Sequence, residues 1–465
     1  MTQLTNVNKR PSFLSFPIPF DHPFTIPTLV ATVSASALLY YYLQATHTAD
    51  LVEAVRKRDI KKRRQLERAE DRFASLKVEK RFVNPFEEWQ EVSFLTTALF
   101  WLRRWKGNGL PKTQQELERA LPVQCPALET IFSRNSVKNN IKYQNPQPAQ
   151  PIKEPVTFTW FGQSTCLITI DGLAILTDPV FSQCSINDYL GPKRLRPIPC
   201  SLQDFAKDLD IVLVSHDHFD HLDEKVVYQL GDSVTWYIPL GLRDWFLKRK
   251  VTNVVEMDWW QEIRHHSRPD IMIACVPAMH WSGSRTPFEK NGTLWCSYVV
   301  KGQAQGGVFF CGDTGYSPEL FKAIGAAYAP FTLAALPIGS FKPEPMMQHV
   351  HMGPEDAIRV HEDLKMPRLS VGIHWGTFMM SDEHYLEPPR TLARLWQDRQ
   401  DQTQSILGHH HIISQEEPEL AANDDTPSTV SLSSSSSTTT NDKLALPMYA
   451  SQFVTTAFGE TVVLA

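Results

Sequence analysis

Between Ser215 and His221 the chain packs three imidazoles and two carboxylates into seven residues, Ser215-His216-Asp217-His218-Phe219-Asp220-His221. This run follows directly on the apolar stretch Ile211 to Val214. A strand that ends in such a loop constrains the fold more than any other feature, because the loop must lie where further strand ends can meet it. In an extended step His216 and His218 point the same way, so both can bind one metal ion. Asp220 and His221 fall past the turn and can serve a second. Imidazole combined with carboxylate selects Zn²⁺, with Mn²⁺ and Fe²⁺ less favoured.

Three other apolar runs end in a residue of the same chemistry. His280 follows Ile271 to Val276 in VPAMHW. Asp313 follows GVFF in FFCGDTGY. His374 follows the strand expected around Leu369 to Val371, in VGIHWGTF. Layered α/β enzymes build their sites at strand ends of this kind. The short β-like runs VTFTW, CLITI, LAILT, DIVLVS, IMIACV, WCSYVV, GVFFCG and TLAALP recur between residues 151 and 412. Helices are expected between them, one opened by Ser317-Pro318-Glu319 and one by Pro354. Strands with intervening helices give α/β layers. The pairs and triplets His265-His266 and His409-His410-His411 read as surface loops, and His361 and His384 as helix-surface or packing residues.

The remaining chain divides by composition. After an N-terminal segment (1–26), residues 27–45 carry no charge and make about 28 Å of helix, close to the roughly 30 Å hydrocarbon core of a bilayer. Tyr40, Tyr41 and Tyr42 suit an interfacial belt, so the segment reads as a single transmembrane anchor. Residues 46–83 read as a basic, charged helix, with eight basic and two acidic residues in 56–68, suited to anionic headgroups. Residues 84–150 read as an extension packing on the core, 151–412 as the core domain, 413–443 as a disordered acidic and Ser/Thr-rich linker, and 444–465 as a C-terminal tail. The net charge is −5. That near-balance supplies no general field for nucleic acid, so none is expected as a partner. Seven scattered cysteines without a C-x-x-C pair read as reduced core thiols.

With these residues in view, the chain resembles the metallo-β-lactamase superfamily, whose ligand order is H-x-H-x-D-H, then His, Asp and His. The matching residues are His216, His218, Asp220, His221, His280, Asp313 and His374. The surrounding wording, WFGQST, LTDPVFS, GPKRLRP, HDHFDHLD, PAMHW, GDTGY, HVHMGPEDA and HWGTF, is similar to the N-acylphosphatidylethanolamine-hydrolysing phospholipase D branch, over roughly residues 85–412. The resemblance implies an αββα sandwich carrying an N-terminal membrane-anchor extension. It implies two Zn²⁺ per chain, one on His216, His218 and His280, the other on Asp220, His221 and His374, with Asp313 and a hydroxide bridging them. It places His351 near the scissile phosphate, with His349 as the competing position, and Phe219 against the substrate. It implies hydrolysis of the membrane phospholipid N-acylphosphatidylethanolamine to N-acylethanolamine and phosphatidic acid, with Asp313 and His351 catalytic. A soluble phosphodiester or sugar-phosphate lactone is the alternative substrate, and a membrane-shaping protein with a relic metal site the non-enzymatic one. The family suggests a homodimer. It also ranks the mitochondrial inner membrane first as location, ahead of endoplasmic reticulum or Golgi membrane.

Overall fold

The structure is a computed structural model that describes residues 22–92, 96–97, 99–100, 108–132, 155–187, 189–283, 290–302, 306–413 and 451–464. The chain divides into two compact units, Met1–Arg58 and Asp59–Ala465. A helix that runs Thr25–Arg63 dominates the first unit and continues five residues past its boundary, a single element where the sequence separated an anchor from a basic helix. It contains a window long and apolar enough to cross a membrane. Leu29, Val33, Leu38 and Leu39 on it are exposed. The basic helix expected to reach residue 83 stops at Arg63. Residues beyond it form a hairpin of β1 (Leu76–Val78) and β2 (Arg81–Val83), turning through Glu79 and Lys80, both at positive φ.

The second unit contains two seven-stranded sheets. One has the order β16, β3, β4, β5, β6, β7, β8, with β3 (Val156–Gly162), β4 (Thr165–Ile170), β5 (Leu173–Thr177), β6 (Ile211–Leu213), β7 (Thr235–Pro239), β8 (Val254–Met257) and β16 (Thr461–Leu464). The other has the order β15, β14, β13, β12, β11, β10, β9, with β9 (Glu262–His265), β10 (Arg268–Val276), β11 (Ser297–Lys301), β12 (Gly307–Phe310), β13 (Phe331–Pro337), β14 (Leu369–Ile373) and β15 (Gln452–Val454). Strands β4 and β6 are buried on both faces, which explains their near-continuous apolar sequence. In β4, Cys166, Ile168 and Ile170 enter the main core between the sheets, whereas Leu167 faces a second core with the helix Glu224–Leu230. Asp223 caps that helix through the Lys225 amide. On the other sheet lie the helices Pro318–Tyr328 and Pro354–Asp363, each with proline in its first turn as the sequence indicated. They bury Leu320, Phe321, Ile324, Ala357 and Ile358. Helices outside two facing sheets give the αββα sandwich.

The core domain does not end at residue 412. The C-terminal segment returns and supplies an edge strand to each sheet. β15 pairs in parallel with β14, and β16 antiparallel with β3. The polar linker between helix Glu387–Ile413 and β15 falls outside the described residues from 414 onward, as do the Pro/Gln/Asn-rich residues 144–150. The extension is continuous with the core, since Phe86, Trp89 and Leu121 join the main cluster. All seven cysteines are free, and five are buried. His265 departs from the surface-loop reading. It is buried on β9, and its Nδ1 lies 2.8 Å from the Tyr237 hydroxyl. His361 is fully buried between Ser370 and Ser451, a packing residue.

Candidate dinuclear metal centre

β3, β5, β6, β10, β12 and β14 run so that their C-terminal ends open on one edge of the sandwich, following the antiparallel and parallel pairings of the two sheets. The residues that follow these ends converge. His216, His218, Asp220 and His221 come after β6, His280 after β10, Asp313 after β12 and His374 after β14. Gly312 permits the approach of the β12 loop. Its φ is +61, and a Cβ there would lie 2.6 Å from that of Ser215.

The donor atoms form two groups. In the first, His218 Nδ1 lies 2.8 Å from His216 Nε2 and 3.4 Å from His280 Nε2. In the second, His221 Nε2 lies 3.0 Å from Asp313 Oδ2, 3.4 Å from Asp220 Oδ2 and 3.3 Å from His374 Nε2. His374 Nε2 is in turn 3.1 Å from Asp313 Oδ2 and 3.6 Å from Asp220 Oδ2. Donors around a tetrahedral zinc ion with bonds of about 2.0–2.1 Å stand roughly 3.3 Å apart. The separations therefore suit a cation at the centre of the second group. Asp313 Oδ2 is also 3.9 Å from His280 Nε2, so one carboxylate reaches both groups.

Surrounding groups fix which nitrogen faces inward. His280 Nδ1 bonds the Val350 carbonyl at 2.7 Å, His216 Nδ1 the Ser215 hydroxyl at 2.9 Å, and His221 Nδ1 the Asp178 carboxylate at 2.6 Å. Such outer partners orient metal-binding imidazoles. Asp178 and Ser215 brace these imidazoles and were not singled out from the sequence. Asp178, at φ +34 after β5, accepts from the Ser215 amide (2.7 Å) and hydroxyl (2.6 Å) while holding His221. One buried carboxylate thus braces a histidine of each group. Its signal in the sequence was a polar residue ending an apolar strand, in LTDP. Gln163, after β3 in WFGQST, was missed for the same reason. Its Nε2 lies 2.6 Å from Asp220 Oδ2.

The electrostatics fit a cationic ligand. Burial holds His216, His218 and His280 below the ordinary imidazole range, so they are neutral donors. At His221 burial is outweighed by the Asp313, Asp220 and Asp178 carboxylates, and the ring stays charged well above that range. At His374 burial is likewise outweighed, by Asp313 first, and its pKa is pushed up to about 9. Burial works against ionisation of Asp220 and Asp313, but His221 dominates and both stay far below the carboxylate range. Protons on two imidazoles thus occupy the charge position of a cation. Among the described residues, buried Asp313 Oδ1, His218 Nε2 and His351 Nδ1 find no hydrogen-bond partner. Metal uptake needs these imidazoles neutral. Binding of a divalent metal near pH 7 should therefore release about two protons, and affinity should fall as pH falls. Calorimetric titration in two buffers of different ionisation enthalpy reads this directly. Heats independent of buffer would contradict it.

His351 lies between helix Glu344–Met347 and Pro354, with its Nδ1 3.7 Å from Asp313 Oδ2 and its ring 5.1 Å from that of His280. His349 turns away and bonds the Glu88 carbonyl at 2.7 Å. Phe219 is partly exposed beside partly exposed Asp220. Of the other histidines, His384 is exposed, and the side chains of His409, His410 and His411 lie outside the described residues.

A family model described as the beta-lactamase superfamily domain matches residues 174–375. The chain is 34% identical over 353 residues to a Saccharomyces cerevisiae protein named mitochondrial N-acyl-phosphatidylethanolamine-hydrolyzing phospholipase D, covering 70% of this chain and 73% of that one. It is 35% identical over 334 residues to N-acyl-phosphatidylethanolamine-hydrolyzing phospholipase D 1 of Caenorhabditis elegans, covering 69% and 87%. An uncharacterised protein of Mycobacterium tuberculosis is 40% identical over 243 residues, covering 50% and 62%. The converging donors and these matches agree: the chain is a metal-dependent hydrolase that belongs to the N-acylphosphatidylethanolamine-hydrolysing phospholipase D family.

Proposed function

We propose that this protein is a membrane-anchored phosphodiesterase that hydrolyses N-acylphosphatidylethanolamine to N-acylethanolamine and phosphatidic acid. The observation that carries the reading is the pair of donor groups joined by Asp313, in a chain so similar to phospholipases named for that lipid. His216, His218 and His280 would hold one Zn²⁺, and Asp220, His221, Asp313 and His374 the other. When bound, two such ions supply Lewis-acid stabilisation of the phosphodiester charge and a water acidic enough to attack at neutral pH. The chain's own residues would do the rest. Asp313 orients the attacking water and accepts hydrogen bonding from it. Burial lowers His351 to about 4, so it meets substrate as a neutral imidazole and is better suited to donate a hydrogen bond to a phosphoryl oxygen than to deliver a proton. Phe219 offers an apolar contact at the partly exposed rim.

Lipid as the substrate class has support outside the metal groups. A cavity of about 530 Å³ between the N-terminal extension and the loop after β13 is lined by Val92, Leu99, Phe100 and Met346, with the polar Gln90, Glu91, Thr96 and Asp382 among them. It is a candidate wall for an acyl chain. The exposed apolar helix fits an anchor, and exposed Lys61 and Lys62 fit anionic headgroups. Other parts of the basic run are engaged within the protein, as Arg64 with Glu87 and Arg56 with Glu53. The yeast relative's name favours mitochondria as the compartment, with endoplasmic reticulum or Golgi membrane second.

The full chain reconstituted in liposomes containing N-acylphosphatidylethanolamine, with products read by mass spectrometry, tests the reading. Zinc-dependent release of N-acylethanolamine and phosphatidic acid is the expected result. No lipid turnover, together with cleavage of a soluble phosphodiester, would move the assignment to the soluble-substrate alternative.

A further inference from the structure

The Gln163 side chain enters the second donor group, and the reading above gives it no role. Its Nε2 lies 2.6 Å from Asp220 Oδ2 and 2.7 Å from His374 Nε2. Those are two of the four atoms proposed to hold one cation. These are hydrogen-bond contacts, and they hold the carboxamide end against the edge of the donor group, within reach of a cation held there.

The backbone drives the side chain there. Gln163 is buried and adopts φ +50, unusual for a residue other than glycine. Three hydrogen bonds hold that conformation. The Gln163 amide donates to Thr377 Oγ1 at 2.6 Å. Its carbonyl accepts from the Trp160 indole at 2.8 Å and from the His374 amide at 2.9 Å. The loop after β3 and the loop after β14 are therefore latched together through this residue. The amide end can present either atom, since the oxygen and nitrogen of a glutamine exchange by a half-turn of the last torsion. Here the NH₂ donates to Asp220 Oδ2. Toward a cation the oxygen would face inward, and amide oxygens are competent ligands for hard and borderline ions.

We propose that Gln163 is a further ligand of the cation held by Asp220, His221, Asp313 and His374, binding through its side-chain oxygen. The inference rests on the two-metal reading. It makes the two sites unequal, one with imidazole donors joined by Asp313, the other with carboxylates and a carboxamide in addition. The oxygen-rich site should then accept harder divalent ions more readily than its neighbour does.

The test uses the full chain in detergent, stripped of metal and titrated with Co²⁺, with equivalents bound and the visible d–d spectrum recorded. Four-coordinate Co²⁺ absorbs more strongly than five-coordinate Co²⁺, so loss of a ligand has a signature independent of turnover. Gln163→Ala should bind one ion as the wild type does. It should bind the other about 10–100-fold more weakly, the range for perturbing a metal's supporting residues, with more intense absorption. Gln163→Glu, which restores an oxygen at the same reach, should recover both affinity and spectrum. The proposal is overturned if Gln163→Ala binds two ions with wild-type affinity and spectrum. It is also overturned if both variants lose both ions together with their melting transition, because the residue would then serve only the loop latch. A wild-type chain that binds fewer than two Co²⁺ fails the two-metal reading itself, and the inference with it.

Discussion

Replacing Asp313 by asparagine should abolish lipid hydrolysis, by at least about 10²–10³-fold, the scale of losing one electrostatic group from a preorganised site. It should also reduce bound zinc from two ions to at most one. The reason is geometric. Asp313 Oδ2 is 3.0 Å from His221 Nε2, 3.1 Å from His374 Nε2 and 3.9 Å from His280 Nε2, so a single oxygen serves both donor groups. Asparagine keeps the volume but removes the negative charge, and half of its orientations turn an NH₂ toward the imidazoles. The fold should survive, because β12 and the buried residues around Asp313 are unchanged by a near-isosteric side chain. Metal content and turnover, measured on the same preparation with its melting temperature, decide the matter. A variant that keeps two zinc ions and turns over within tenfold of the wild type would refute the bridging role.

The second large effect concerns stability. A chain ending at residue 412 should fail to fold, although the recognisable motifs all lie before that point. Truncation removes β15 and β16, the edge strands of the two sheets. It also removes Phe453 and Phe458, both buried. Phe458 stacks on Trp160 with ring centroids 4.6 Å apart, and the neighbouring Gly459 amide donates to the Trp160 carbonyl at 2.7 Å. Trp160 in turn holds the carbonyl of Gln163 beside the metal centre. Emptying a buried phenylalanine site costs about 3–5 kcal/mol. Two such losses are comparable with the whole stability of a typical domain, about 5–15 kcal/mol. The double variant Phe453→Ala and Phe458→Ala, in the full chain, should lower the melting temperature markedly and weaken metal retention. A truncated protein with an unaltered cooperative melt would show that the C-terminal strands are dispensable.

The donor set was legible from residue order because ligand chemistry and strand ends are local properties. A polar residue of the right type follows each apolar run, and a strand need only deliver it. His216 and His218 share a direction by the two-residue period of an extended chain, and the later ligands are marked by the same strand-end rule. The helices opened by Pro318 and Pro354 were legible too, since proline is favoured where a helix begins.

Three things needed the tertiary structure. Asp178 and Gln163 carry the same strand-end signal as the ligands, but their roles depend on distances across two sheets, and no local pattern encodes which strand ends become neighbours. His351 was already favoured over His349 in the sequence, but the reason lies in the fold: His349 bonds the Glu88 carbonyl in the distant N-terminal extension, whereas the loop directs His351 toward Asp313. The C-terminal tail read as an apolar segment able to dock on the core, but not as strands, because three- and four-residue strands have no periodicity to read. Its place was decided by the open edges of β14 and β3, whose unpaired backbone groups it satisfies. Sequence determined the chemistry that could be assembled, because that resides in side-chain type and local direction. Only the folded sandwich decided which residues brace that chemistry and where the domain ends, because both depend on contacts between segments hundreds of residues apart.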